Sequence, residues 1–241
     1  MNNKLTWPKI FLFGDSITQL SFSQDGQWGA LLADYLQRKC DVINRGFSGY
    51  NARWCKFVLP QILGSDDAAS VAAVTIFLGA NDSNDGDLNP SQHVPLKDYR
   101  EDLTEMVQYL QSIGIQRERI ILITPPPCDE DAWGEECKKK DKPMSKSNTL
   151  TELYAKNCAK VAIDCGTQCV DLYKAMIKSE EWKEMLCDGL HLSQTGSHLL
   201  FTLLQPVIDK LTSDVVFKFP LWDKVDYMNP KVSLCSANTS S

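Results

Sequence analysis

The chain is short of several features that would decide its class at once. It holds only three histidines, His93, His191 and His198, in 241 residues, and none lies near a cysteine pair. No zinc-binding spacing can be assembled from them. Its nine cysteines are odd in number, irregularly spaced and include no CxxC. That pattern argues against a disulfide framework and for reduced thiols. No apolar run approaches the roughly 20 residues of a membrane span. The opening MNNKLTWPKI shows neither a secretory leader nor an import signal, and the ANTSS end matches no lipidation or retention motif. A cytoplasmic location is expected.

Positive charge is scarce as well. Lys and Arg number 25 against 31 Asp and Glu, a net charge of −6. A binder of phosphate backbones needs the opposite balance, so no nucleic-acid partner is expected. The one dense basic run, Lys138-Lys139-Lys140, sits among Glu135, Glu136 and Asp141 and reads as a solvated loop. The acidic run from Asn81 to Asp87 has Gly86 at the sixth position of a calcium-loop pattern. Its twelfth position is Gln92 rather than Glu, so no metal is expected.

Present instead are five apolar, β-branched runs: Ile10–Phe13, Val42–Ile43 with its flanks, Val71–Leu78, Ile120–Ile123 and Cys169–Leu172. None alternates cleanly, which predicts strands buried on both faces, as in a parallel sheet covered by helices. Helical spacing runs through Trp28 to Leu36, Tyr99 to Leu110, Leu150 to Val161 and Leu199 to Leu211, with Ser193 as N-cap of the last. Strand and helix alternate throughout, the pattern of a three-layer α/β/α sandwich. Residues 1–241 read as a single domain, with an aromatic extension from about 213 whose first half packs on the body and whose last residues are loose. Residues 80–97 and 124–148 read as long loops at the carboxyl edge of the sheet, where ligands bind in open α/β folds.

The chemistry gathers in four places. The first strand runs into Gly14-Asp15-Ser16; alone, this reads either as a capped turn or as a strand delivering a serine. A serine hydroxyl needs a base, and Asp188 precedes His191 by three in CDGLHLS. The carboxylate can hold Nδ1–H and turn Nε2 toward a serine, or both residues can simply lead into the last helix. His198 falls beside an apolar stripe, and His93 lacks a local acid. Gly46 and Gly49 in NRGFSGYNAR, and Asn81 in FLGANDSND, are oxyanion-donor candidates or, equally, turn and cap residues. Trp28, Trp54 and Trp133 could line a pocket or pack the interior.

In this order, GDS, a glycine-bearing loop, GAND and DxxH before the last helix resemble the SGNH, or GDSL, hydrolase superfamily. NRGFSGYNARW, Leu59-Pro60 and GAND look closest to its isoamyl acetate-hydrolysing esterase branch. The resemblance implies a flavodoxin-like sandwich with a five-stranded parallel sheet and no cofactor. It implies Ser16 as nucleophile, His191 as base, Asp188 as its orienting acid, and an oxyanion hole from the N–H groups of Ser16 and Gly49 and the Asn81 amide. Asp15 would brace the turn. The expected function is a serine esterase of small to medium carboxylic esters. A sugar O-acetyl esterase, a lysophospholipase and a non-catalytic binding protein are the alternatives. The expected partner is a small-molecule ester, with oligomeric state left open.

Overall fold

A computed structural model describes residues 5–23 and 27–235. In chain order the elements are β1 (Lys9–Gly14), α1 (Ser16–Gln19), α2 (Trp28–Tyr35), β2 (Asp41–Gly46), α3 (Ala52–Ile62), α4 (Ser65–Ala68) and β3 (Val71–Phe77). They continue with α5 (Leu96–Ser112), β4 (Ile120–Ile123), α6 (Glu130–Lys139), α7 (Asn148–Cys165), β5 (Gln168–Val170), α8 (Leu172–Met176), α9 (Gln194–Leu211) and α10 (Pro230–Cys235). The strands form one parallel sheet in the order β2-β1-β3-β4-β5.

Alternation along each strand divides the interior into two halves, because successive side chains point to opposite faces. Phe11 and Phe13, Val74 and Ile76, and Ile120 and Leu122 meet α3, α5 and α7 on one face. Ile10 and Leu12, Ala73 and Phe77, and Ile121 and Ile123 meet α2 and α9 on the other. The three-layer sandwich is therefore present, with β1, β3 and β4 buried almost throughout. The edge strands depart from the expectation of burial on both faces. β2 is only half-buried, since it has a hydrogen-bonded neighbour on one side alone.

Four local details also differ. β5 stops at Val170 because the Asp171 side chain accepts the Lys174 N–H and caps α8, taking Leu172 into the helix. Residues 124–148 are not all loop: α6 lies within them, capped by Asp129, with acids in its first turn and lysines in its last. α3 carries Pro60 near its end, where a missing N–H costs one hydrogen bond. α10 lies in the aromatic extension. As expected, Ser193 caps α9, accepting the Gly196 N–H at 3.3 Å.

The extension docks through Arg38, whose guanidinium donates to the carbonyls of Lys218, Phe219 and Pro220. Beyond it, Trp222, Tyr227 and Met228 are exposed. The expectation of loose final residues falls in part on 236–241, which lie outside the described residues.

Candidate active site

Three adjacent strands end level with one another. Gly14, the last residue of β1, pairs with Gly46 at the end of β2 and with Phe77 at the end of β3. The chain leaves β1 for β2 on one side and returns to β3 on the other, so the carboxyl end of β1 is the switch point where such sheets bind ligands. Ser16, Gly49 and Asn81 lie just past these three strand ends and line a common cleft of about 620 Å³. Gly46 ends β2 and is not part of that lining.

Asp15 accepts the Ile17 N–H at 2.9 Å and caps α1, placing Ser16 in the first turn. N–H groups of a first turn have no partner inside the helix, so the Ser16 N–H is available to a ligand. Gly49 has φ +80, a conformation natural to glycine. Asn81 donates one amide hydrogen to Tyr50 O at 2.8 Å, and its second is left for another acceptor.

The opposite wall comes from the loop before α9. His191 Nε2 lies 2.9 Å from Ser16 Oγ, and His191 Nδ1 lies 2.6 Å from Asp188 Oδ2. Asp188 Oδ1 also accepts the N–H groups of Leu190 at 3.0 Å and His191 at 2.8 Å. Burial opposes the charge on Asp188, but the His191 contact and these two N–H groups outweigh it and hold its pKa below the ordinary value. The loop is braced by α6: Asp129 N donates to Gly189 O at 2.9 Å, and the Trp133 ring stands edge-on to His191 with centroids 5.9 Å apart.

Behind the cleft lies a buried group that the sequence alone does not disclose. Burial raises the pKa of Asp15 to about 6 and that of Asp82 to about 7, each against a bonded backbone N–H. Both carboxylates keep one buried oxygen without a partner among the described residues. Lys146 stands opposite them, 7% exposed, and burial lowers its pKa to about 8. Its Nζ donates to Ala80 O at 2.5 Å.

Gln92 is another residue missed from sequence. Its Nε2 donates to Gly49 O at 2.8 Å and lies 3.4 Å from Asn81 Oδ1, linking the two loops. Of the three tryptophans singled out from sequence, Trp133 lines the cleft, Trp28 is interior and Trp54 is partly exposed. His198 lies exposed on α9, and His93 Nδ1 lies 2.6 Å from Asn84 O. No signal short of the folded loops points to Gln92 or Lys146.

A flavodoxin-ordered sheet with Ser, His and Asp joined at its switch point defines a class: an α/β hydrolytic enzyme of the SGNH type. The comparisons agree. Residues 10–204 match the GDSL-like lipase/acylhydrolase family, and the chain belongs to it. An isoamyl acetate-hydrolyzing esterase 1 homolog of Mus musculus is 51% identical over 232 residues, covering 95% of this chain and 93% of the relative. The Rattus norvegicus homolog is 51% identical over 234 residues, covering 96% and 94%. A lipase/acylhydrolase from Enterococcus faecalis superposes with a TM-score of 0.64 at 28% identity, covering 88% of this chain and all of that one. The protein is a carboxylic ester hydrolase. No helix among the described residues is long and apolar enough to cross a membrane.

Proposed function

We propose that this chain is a serine esterase of small carboxylic esters, acting through an acyl-enzyme on Ser16. The observation that carries the reading is the relay of short contacts from Ser16 Oγ through His191 to Asp188. His191 Nε2 takes the hydroxyl proton as Oγ bonds to the ester carbon, and Asp188 steadies the imidazolium through Nδ1. The carbonyl oxygen becomes an oxyanion facing the N–H groups of Ser16 and Gly49 and the Asn81 amide. As the C–O bond to the alcohol breaks, His191 returns its proton to the leaving oxygen. A water then repeats the sequence: His191 takes its proton as the water oxygen bonds to the acyl carbon, the bond to Ser16 Oγ breaks as His191 returns the proton to Oγ, and the carboxylic acid leaves. These steps use protein groups and water alone.

Short esters are favoured by the cleft wall. Asn84, Asn89, Ser91 and Gln92 line it beside Leu88 and Leu190, so polar side chains interrupt the apolar wall that a fatty chain would need. The mouse and rat relatives bear the name of an acetate ester, which supports the same choice. The site draws on loops from β1 to the start of α9, which supports reading the chain as a single domain. The odd number and irregular spacing of the nine cysteines fit a reducing cytoplasm.

The test is hydrolysis of p-nitrophenyl esters from acetate to palmitate by wild type and Ser16→Ala. Turnover should peak at the short end and fall by several orders of magnitude in the variant. A folded Ser16→Ala protein with near-wild-type turnover would overturn the reading.

A further inference from the structure

The cleft carries a charge opposite to that of the molecule. The chain is acidic overall, with a net charge of −6. Yet Lys140, Lys142 and Lys146 line the cleft, and among the described residues no Asp or Glu does. Sequence alone puts the basic run in a solvated loop; Lys138 and Lys139 are exposed and paired with Glu135 and Glu136 at 2.6 Å, but they form the last turn of α6 rather than a loop. The next lysines border the cleft. Lys140 is held only loosely, 3.9 Å from Glu136, with its ammonium 5.7 Å from the centre of the Trp133 ring.

Lys142 is exposed at the cleft and in no ion pair among the described residues. Lys146 is buried, and its Nζ donates to Ala80 O, the carbonyl directly before Asn81. An ammonium has three donors, so further donors remain for a ligand. The carboxyls that offset Lys146, Asp15 and Asp82, are buried and outside the lining, where they cannot repel a substrate by contact.

We infer that this cleft selects esters bearing an anionic group, a carboxylate or a phosphate, on the part of the substrate not undergoing reaction. The inference rests on the esterase reading and narrows its substrate class. A neutral ester fills the same space but brings no counter-charge to the cleft lysines, of which Lys142 is in no ion pair among the described residues. The acetyl or short acyl group sits at Ser16, and the anion reaches toward the segment 140–146.

Matched substrates test it. On the alcohol side, 4-acetoxybenzoate is compared with 4-acetoxybenzamide; on the acyl side, mono-4-nitrophenyl adipate is compared with 4-nitrophenyl hexanoate. Each kcat/KM is divided by the alkaline hydrolysis rate of the same ester. In at least one pair the anionic member should be preferred by about tenfold at low ionic strength. That preference should shrink in 0.5 M salt, which screens exposed charges, and should shrink or reverse in Lys142→Glu. Because Lys142 is exposed, folding should not depend on it. Equal or weaker turnover of both anionic members, or a preference untouched by salt and by Lys142→Glu, would overturn the inference while leaving the esterase intact. Folded wild type inactive on all four esters would overturn both.

Discussion

Gln92 touches no reacting atom in the proposed mechanism, yet it joins two of the groups that would face the oxyanion. Its Nε2 binds Gly49 O and approaches Asn81 Oδ1, while Asn89 Nδ2 fixes its Oε1 at 2.8 Å and its own carbonyl receives Asn51 Nδ2 at 2.9 Å. Donors must be fixed in advance to stabilise charge in a transition state. Gln92→Ala should therefore lower kcat about tenfold with little change in KM or melting temperature; an unchanged kcat would show that the loops hold themselves. Asn81→Ala should cost more, about 10²- to 10³-fold in kcat, as for other lost oxyanion donors. Steady-state kinetics on a short ester checks both.

Asp82, next in sequence, supports a prediction about pH. Its Oδ1 accepts the Ala52 N–H at 2.7 Å, and its pKa of about 7 stands above the ordinary 3.8. The folded protein thus holds this proton more tightly than the unfolded chain. The stability that it contributes is complete below about pH 4 and is lost as pH rises through about 7. Asp82→Asn keeps an acceptor for Ala52 and removes the ionisation. The variant should gain in melting temperature relative to wild type as pH rises from 5 to 8. A difference independent of pH would contradict the protonation assigned to Asp82.

Among the elements, α6 has the most consequence for the site and was the least legible. Its sequence, EDAWGEECKK, buries only Cys137 and offers no apolar stripe, so periodicity could not mark it. Three prolines just before it suggest a loop more strongly than a helix. Its cap, its dipole-matched charges and its docking on residues 187–193 are what hold it. That docking depends on Gly189, at φ +89, where an added Cβ would lie 2.5 Å from Trp133 N and 2.7 Å from Asp129 O. Gly189→Ala should destabilise the protein by about 1–3 kcal/mol or more, since the strained backbone is compounded by the clash. It should also reduce kcat by displacing His191. Denaturant melts and kinetics on one preparation would show both, and wild-type values in each would disprove the bracing role of α6.

α3 was hidden for a related reason, its interior broken by Pro60 and by Arg53 and Lys56. The charged pair is accounted for only by tertiary partners, Asp98 and Asp102 on α5. Strands were easier to read. β1, β3 and β4 are buried on both faces and so appear as unbroken apolar runs. β5 was read too far because Asp171, a helix cap, follows Val170 without a turn signal.

For the whole molecule, topology explains why so much of the site was legible. In a sheet ordered 2-1-3-4-5, three strands end level at the switch point, and each is followed at once by a short motif. Ser16, Gly49 and Asn81 lie in such motifs, Asp188 and His191 in a contiguous motif just before α9, and the fold brings all five to one place. Gln92 and Lys146 reach the cleft only because loops distant in sequence come back over it, so no local pattern announces them. Charge follows the same rule: an acidic chain encloses a cleft lined with lysines, visible only after folding. The aromatic extension, anchored by Arg38, lies outside the cleft lining and enters none of these arguments.

The nucleophile itself is tested most directly by covalent labelling. A fluorophosphonate ester transfers its phosphonyl group to an activated serine oxygen, releasing fluoride. Intact-mass analysis and peptide mapping of wild type and Ser16→Ala then locate the new bond. The expected result is one phosphonyl group per chain, on the peptide that contains Ser16, and none on the variant. A label on any other residue, or one undiminished in Ser16→Ala, would contradict the role given to Ser16.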